Sequence, residues 1–129
     1  MRAFVTRALG LLILAAALLP ALPAAAAPAR SESLSQYRQW IAEARVMYPY
    51  KEPASRMYKV MMCESGGNRF AVGAGRWYGL FQYVPGTWRG AWNPYRASSL
   101  NDSKAQIFAT AKAWSIGMQS AWSCYYLTR

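Results

Sequence analysis

The sequence predicts a small α+β fold that is mainly α-helical, with a short irregular hairpin region and one disulfide. Three stretches carry apolar residues at helical spacing between start and stop signals. A segment rich in glycine and aromatic residues lies between the second and third stretches and predicts turns and an irregular hairpin. The chain of 129 residues is long enough for one domain and too short for two of ordinary size.

The N-terminal segment has the layout of a secretory signal peptide. Arg2 and Arg7 form a positive start, and an apolar run and a stretch rich in proline and small residues follow. A membrane anchor is the alternative, but the apolar run is shorter than the ~20 residues of a spanning helix and Pro20 interrupts it. We therefore expect cleavage, secretion to the envelope of a bacterium, and no stable membrane insertion afterwards. The predicted organisation is a signal peptide (1–26), a linker (27–33) and one domain (34–129).

The first two helices have clear boundaries in the sequence. Ser33 and Gln36 form a potential capping box ahead of the first helix, and Pro49 ends it. The second helix is expected to begin around Pro53, a favourable first-turn residue, and to end at the Gly66-Gly67 pair.

The remaining elements follow the glycine-rich segment. A short helix is expected to begin near Thr87, and a last helix is expected from about Ser103 to Ile116, with Gly117 at its end. Ser103 and Gln106 suggest a second capping box there. No internal repeat or second domain is visible in the sequence.

The two cysteines and the absence of histidine limit the bonds and metal sites that the chain can form. In an exported domain of this size, Cys63 and Cys124 are expected to form a disulfide, with two separately buried thiols as the alternative. Such a bond would close a loop of about sixty residues and stabilise the fold by about 4 kcal/mol. No metal site and no cofactor are expected, because the chain has no histidine and only five acidic residues.

The charge of the chain favours polyanionic partners. Removing Arg2 and Arg7 from the 15 Lys and Arg leaves 13 against 5 Asp and Glu, or a net charge of +8 for the mature protein. The basic residues are scattered and no nucleic-acid-binding motif is present, so nucleic acid is not an expected partner. Anionic polymers of the cell wall are a natural class of partner for an exported protein, and a cationic surface without a special partner is the alternative.

Glu64 is the strongest candidate for a catalytic residue. It follows Met57, Val60 and Met61 at helical spacing, so its carboxylate shares the apolar face of the second helix. Apolar neighbours and the negative end of the helix dipole both raise the pKa of a carboxyl group, as a general acid requires. The alternative is a partly exposed glutamate at a helix end with an ordinary pKa.

The stretch "CESGGN", followed by "YGLFQYVPGTW" and the closing "WSC", resembles the catalytic core of small transglycosylase-like domains of the lysozyme fold. It is especially similar to the secreted group of the resuscitation-promoting factors. The resemblance covers Tyr58 to Cys124, which is about half of the chain. It implies a lysozyme-like domain that acts on peptidoglycan glycan strands, and we expect that domain to be a monomer.

The same resemblance implies roles for individual residues. Glu64 matches the catalytic acid, and Ser65 matches the hydroxyl beside it. The segment that lines the sugar groove in that family matches four residues here: Tyr78, Gly79, Gln82 and Tyr83. A glycine lets a sugar approach the backbone, an amide pairs with hydroxyl and acetamido groups, and aromatic rings stack on sugar faces. The tryptophans of the chain fit a core as well as a groove.

A second carboxylate is missing from the motif. Most glycosidases flank the scissile bond with two carboxylates, but here Asp102 is better explained as a helix N-terminal charge, and the other acids lie upstream. A single-acid mechanism is therefore expected, in which an oxygen of the substrate acts as nucleophile and an anhydro-muramyl product forms. Larger lytic transglycosylases carry a late Ala-Tyr-Asn motif whose tyrosine orients the acid. This chain has "AKAWSIG" instead. Two questions therefore stay open: which group orients Glu64, and whether water competes with the substrate oxygen as the nucleophile and gives hydrolysis.

Three functions compete at this point. The first is an exported lytic transglycosylase or muramidase that cleaves the β-1,4 bond between MurNAc and GlcNAc. The second is a non-catalytic peptidoglycan-binding module that keeps the groove. The third is a cationic membrane-active polypeptide, which neither main helix supports, because neither is apolar on one side and lysine-rich on the other.

Overall fold

Helices dominate residues 32–129, the part of the chain that the computed structural model describes. In chain order the elements are α1 (Leu34–Met47), α2 (Ala54–Ser65), β1 (Val72–Gly73), β2 (Trp77–Tyr78), α3 (Pro85–Trp88), α4 (Ser103–Ser115), a 3-10 helix (Gln119–Ala121) and α5 (Ser123–Leu127). The two strands pair antiparallel, so the predicted fold class, α+β and mainly α, is confirmed. None of the described helices combines the length and apolar character needed to cross a membrane. The predicted signal peptide (1–26) and most of the predicted linker lie outside the described residues.

The caps of α1 and α2 follow local sequence signals. The Ser33 hydroxyl accepts a hydrogen bond from the Gln36 backbone N–H at 3.2 Å, which satisfies one free donor at the start of α1. Gly66 adopts a left-handed conformation with φ of +63° and ends α2. Glu32 already contacts the domain, because its carboxylate forms an ion pair with Arg69 at 2.9 Å.

The core lies between α1, α2 and α4. The inward side chains of α1 are Tyr37, Ile41 and Ala44, and those of α2 are Met57, Val60 and Met61. Most of the side chains of α4 are buried, including Ile107, Phe108 and Trp114. Because α4 is enclosed on nearly every side, its sequence shows little amphipathic contrast.

Two predicted helix starts differ from the structure. The capping box at Ser103 and Gln106 is wrong: Asp102 is the N-cap and accepts from the Ala105 backbone N–H at 2.9 Å. Ser103 and Gln106 are both buried, and their side chains form tertiary hydrogen bonds instead. The short helix begins at Pro85, two residues before Thr87, because proline is favoured in the first turn.

The predicted disulfide is present between Cys63 and Cys124, with the two Cα atoms 5.9 Å apart. It joins the last turn of α2 to α5, so the C-terminal segment is fixed beside the end of α2. The alternative of two separate thiols is therefore wrong. Cys63 is exposed to solvent, whereas Cys124 is buried.

Candidate active site

A cleft of about 360 Å³ opens at the C-terminal end of α2. Three segments of the chain line it. The end of α2 contributes Glu64, and the hairpin region with α3 contributes Trp77, Gln82, Tyr83, Val84 and Thr87. The C-terminal segment contributes Met118, Ala121, Trp122 and Ser123, which we call the C-terminal wall. The cleft therefore brings together parts of the chain that are about sixty residues apart in sequence.

Glu64 lies half-buried in this cleft. Burial raises the pKa of its carboxyl group, because desolvation disfavours the ionised form, and the backbone amide of Cys124 partly opposes this effect. Within residues 32–129, Glu64 forms no ion pair. The predicted direction of the pKa shift is thus present, with burial as its main cause.

The other four acidic residues of the chain lie outside the cleft. Glu32 pairs with Arg69, and Asp102 caps α4. Glu43 is exposed on α1 and accepts from the Gln39 side-chain amide at 2.9 Å. Glu52 is buried and accepts from the Tyr125 hydroxyl at 2.7 Å. Glu64 is therefore the single side-chain carboxylate that lines the cleft.

Two of the four predicted groove residues line the same cleft as Glu64. Gln82 adopts a φ of +52°, and its side-chain N–H₂ donates to the backbone oxygens of Gly79 at 3.0 Å and Ala71 at 3.3 Å. Its amide nitrogen is thereby committed to the hairpin region, which leaves the carbonyl oxygen as the freer polar atom of this side chain.

Tyr83 reaches the cleft with its ring rather than its hydroxyl. The residue is 3% exposed, and its hydroxyl lies 3.0 Å from the Thr110 hydroxyl in the core. The ring packs edge-on against Trp88 and Trp122, with centroid distances of 5.1 and 5.6 Å. Tyr83 thus joins the lining of the cleft to the core through aromatic contacts.

Ser65, Tyr78 and Gly79 do not line the cleft. The Ser65 hydroxyl donates to the Met61 carbonyl oxygen at 3.2 Å and accepts from the Gly67 N–H at 3.2 Å, so it closes the end of α2. The backbone of Tyr78 pairs with that of Tyr83 in both directions, at 2.9 and 3.0 Å.

Gly79 lies against α4. It has a φ of +79°, and a Cβ atom there would lie 2.1 Å from the Gln106 side-chain nitrogen and 2.5 Å from the Leu100 carbonyl oxygen. The missing side chain makes room for Gln106, which donates to Tyr78 and Leu100 and accepts from the Phe81 N–H. Glycine is thus required for a close approach within the protein at this position.

Sequence reasoning missed much of the lining. Trp77 is 39% exposed and lines the same cleft as Glu64, with the Arg76 guanidinium 5.3 Å from the centre of its ring. Thr87 and Trp122 lie within the quoted motifs but were not singled out as site residues. Nothing in the sequence pointed to Met118, because the 3-10 helix that follows it has no strong pattern of its own.

Comparison with known proteins gives no match: no family model fits the chain, and neither a curated protein nor a solved structure is significantly similar to it.

Proposed function

We propose that this protein is a secreted enzyme of the bacterial cell envelope that cleaves peptidoglycan glycan strands. The proposed reaction is cleavage of the β-1,4 bond between MurNAc and GlcNAc, with Glu64 as the catalytic acid. The observation that carries the proposal is a lone carboxylate of raised pKa in a cleft lined with aromatic side chains. The resemblance of the "CESGGN" and "YGLFQYVPGTW" stretches to lysozyme-fold transglycosylases supports the substrate class.

The proposed mechanism uses Glu64 twice. Its protonated carboxyl first gives a proton to the leaving glycosidic oxygen, and burial keeps that proton bound at a higher pH than for an exposed glutamate. Because the cleft contains no second carboxylate side chain, the nucleophile comes from the substrate. The Glu64 carboxylate then removes the proton from the attacking hydroxymethyl group, and a 1,6-anhydro-muramyl end forms.

The test compares the disulfide-bonded mature protein with its Glu64→Gln variant on purified peptidoglycan. Soluble muropeptides are identified by mass spectrometry. We expect anhydro-muramyl ends from the wild type and a loss of at least about a hundredfold in the variant. Glu43→Gln is the matched control, because Glu43 is an exposed glutamate outside the cleft, and it should keep full activity.

The outcomes separate the competing functions. Reducing muramyl ends would indicate hydrolysis and a muramidase. Binding to insoluble peptidoglycan without release of muropeptides by any of the three proteins would favour the non-catalytic binding module. Equal release by the wild type and Glu64→Gln would exclude Glu64 as the acid. Binding to walls stripped of their anionic polymers would show whether the positive charge of the chain contributes to recognition.

A further inference from the structure

Glu52 is a buried carboxylate whose position the proposed reaction does not explain. It is 8% exposed and lies two residues before α2, the helix whose far end carries Glu64. Its backbone oxygen accepts from the Arg45 guanidinium at 2.8 Å, which fixes the turn between α1 and α2. A buried carboxylate is costly unless hydrogen bonds replace its lost hydration, so its partners indicate what it does.

The partners of Glu52 are on the C-terminal segment, at both ends of the C-terminal wall. The Tyr125 hydroxyl donates to one carboxylate oxygen at 2.7 Å. The Gln119 side-chain N–H₂ lies 3.3 Å from each of the two oxygens. Gln119 follows Met118, and Tyr125 stands two residues after Ser123. The Glu52 carboxylate therefore contacts this segment on both sides of Ala121, Trp122 and Ser123.

Two other side chains hold the same segment. Arg56 donates to the Tyr125 backbone oxygen, and the Trp122 indole N–H donates to the Phe81 backbone oxygen at 2.9 Å. With the disulfide, these contacts keep α5 attached even when the Glu52 carboxylate is replaced. The Glu52 hydrogen bonds, which are strengthened by its charge, join this segment to the turn before α2.

We propose that Glu52 is a positioning residue for the cleft, which acts through Gln119 and Tyr125 on the C-terminal wall. The proposal rests on the proposed function as far as catalysis is concerned. The wall is one of the three surfaces that line the cleft around Glu64, so Glu52 acts indirectly in place of the orienting tyrosine that "AKAWSIG" lacks.

The test uses Glu52→Gln and Tyr125→Phe, with Glu43→Gln as the control. Tyr125→Phe removes one hydroxyl and keeps the ring beside Trp114, so it remains informative if Glu52→Gln is too unstable. The first readout is NMR and needs no activity. We expect the Trp122 indole N–H resonance to shift, and the pKa of Glu64, followed by carboxyl ¹³C titration, to fall toward its ordinary value. It should fall because burial is the larger influence on that carboxyl group.

The second readout is kinetic. Misplacement of the wall should lower kcat by about 10- to 100-fold while KM changes by less than about threefold. An unchanged Glu64 titration and an unchanged Trp122 resonance in both variants, accompanied by a lower melting temperature, would overturn the proposal and leave Glu52 a purely structural residue. If the wild type and Glu64→Gln prove equally active, the proposed function fails, whereas the NMR result still decides whether Glu52 positions the cleft.

Discussion

The Gln106→Leu substitution tests how the segment that carries Gln82 and Tyr83 is held on α4. Gln106 is fully buried, and its side chain forms three hydrogen bonds. Its oxygen accepts from the Phe81 N–H at 2.8 Å, and its nitrogen donates to two backbone oxygens, those of Tyr78 at 2.9 Å and Leu100 at 2.5 Å. Leucine has a similar volume and replaces none of these bonds.

The expected loss of stability follows from the groups left behind. The Phe81 N–H is buried and would lose its partner, which costs about 2 kcal/mol. The Leu100 oxygen loses a donor, at about 1 kcal/mol. The Tyr78 oxygen keeps the Tyr83 N–H at 3.0 Å and so loses no more than about 1 kcal/mol. We therefore expect Gln106→Leu to lower the free energy of unfolding by about 3 to 4 kcal/mol, a large part of the stability of a small domain.

Urea unfolding followed by tryptophan fluorescence measures this loss. With a slope near 1.5 kcal/mol per M, the midpoint should fall by about 2.5 M. Gln39→Leu is the matched control, because Gln39 is exposed on α1 and its replacement should change stability by less than about 0.5 kcal/mol. A Gln106→Leu midpoint within about 0.5 M of the wild type would refute the reasoning, since it would mean that these bonds contribute little net stability.

Four further predictions use the same unfolding assay. Gly79→Ala should destabilise by more than about 2 kcal/mol, because its φ of +79° disfavours a side chain and the added Cβ meets α4; a smaller loss would contradict the close approach. Replacing Cys63 and Cys124 together by serine should cost about 4 kcal/mol, and an unchanged midpoint would show that the disulfide is dispensable. Asp102→Ala should cost about 1 kcal/mol through the lost N-cap, and a neutral result would place the cap elsewhere. Burial raises the folded-state pKa of Glu64, so its ionised form lowers stability above that pKa and has no effect well below the unfolded value. Glu64→Gln should therefore be more stable than the wild type at pH 8 and equal to it at pH 3; a difference that is independent of pH would contradict this linkage.

The sequence predicts the parts of the fold that depend on neighbours along the chain. Ser33 and Gly66 act on backbone groups within a few residues, so the boundaries of α1 and α2 follow from local rules. The start of α4 shows where such rules fail. Ser103 and Gln106 fit a capping box, but their side chains are needed by Glu32 and by the Phe81 backbone, and the neighbouring Asp102 takes the cap.

The candidate site was predictable only in part, for a related reason. Helical phase alone places Glu64 on the face of Val60 and Met61, and the structure places it in a cleft with the expected direction of its pKa. The partner surface comes from Met118 to Ser123, more than fifty residues away, and only the disulfide gave a sign that this segment lies near α2. The role of Gly79 depends on its contact with Gln106, which no local pattern encodes.

The five acidic residues together give the strongest argument about Glu64. Glu32 has a guanidinium partner, Asp102 caps a helix, and Glu43 reaches solvent. Glu52 is more deeply buried than Glu64, yet hydrogen bonds from Tyr125 and others outweigh the desolvation that raises its pKa, so its pKa is lowered. Burial raises the pKa of Glu64 because the single hydrogen bond from the Cys124 backbone amide offsets the desolvation only in part, whereas the several partners of Glu52 offset it fully. A carboxyl group whose burial is only partly offset by hydrogen bonds suits the role of a general acid, which is the role that we propose for Glu64.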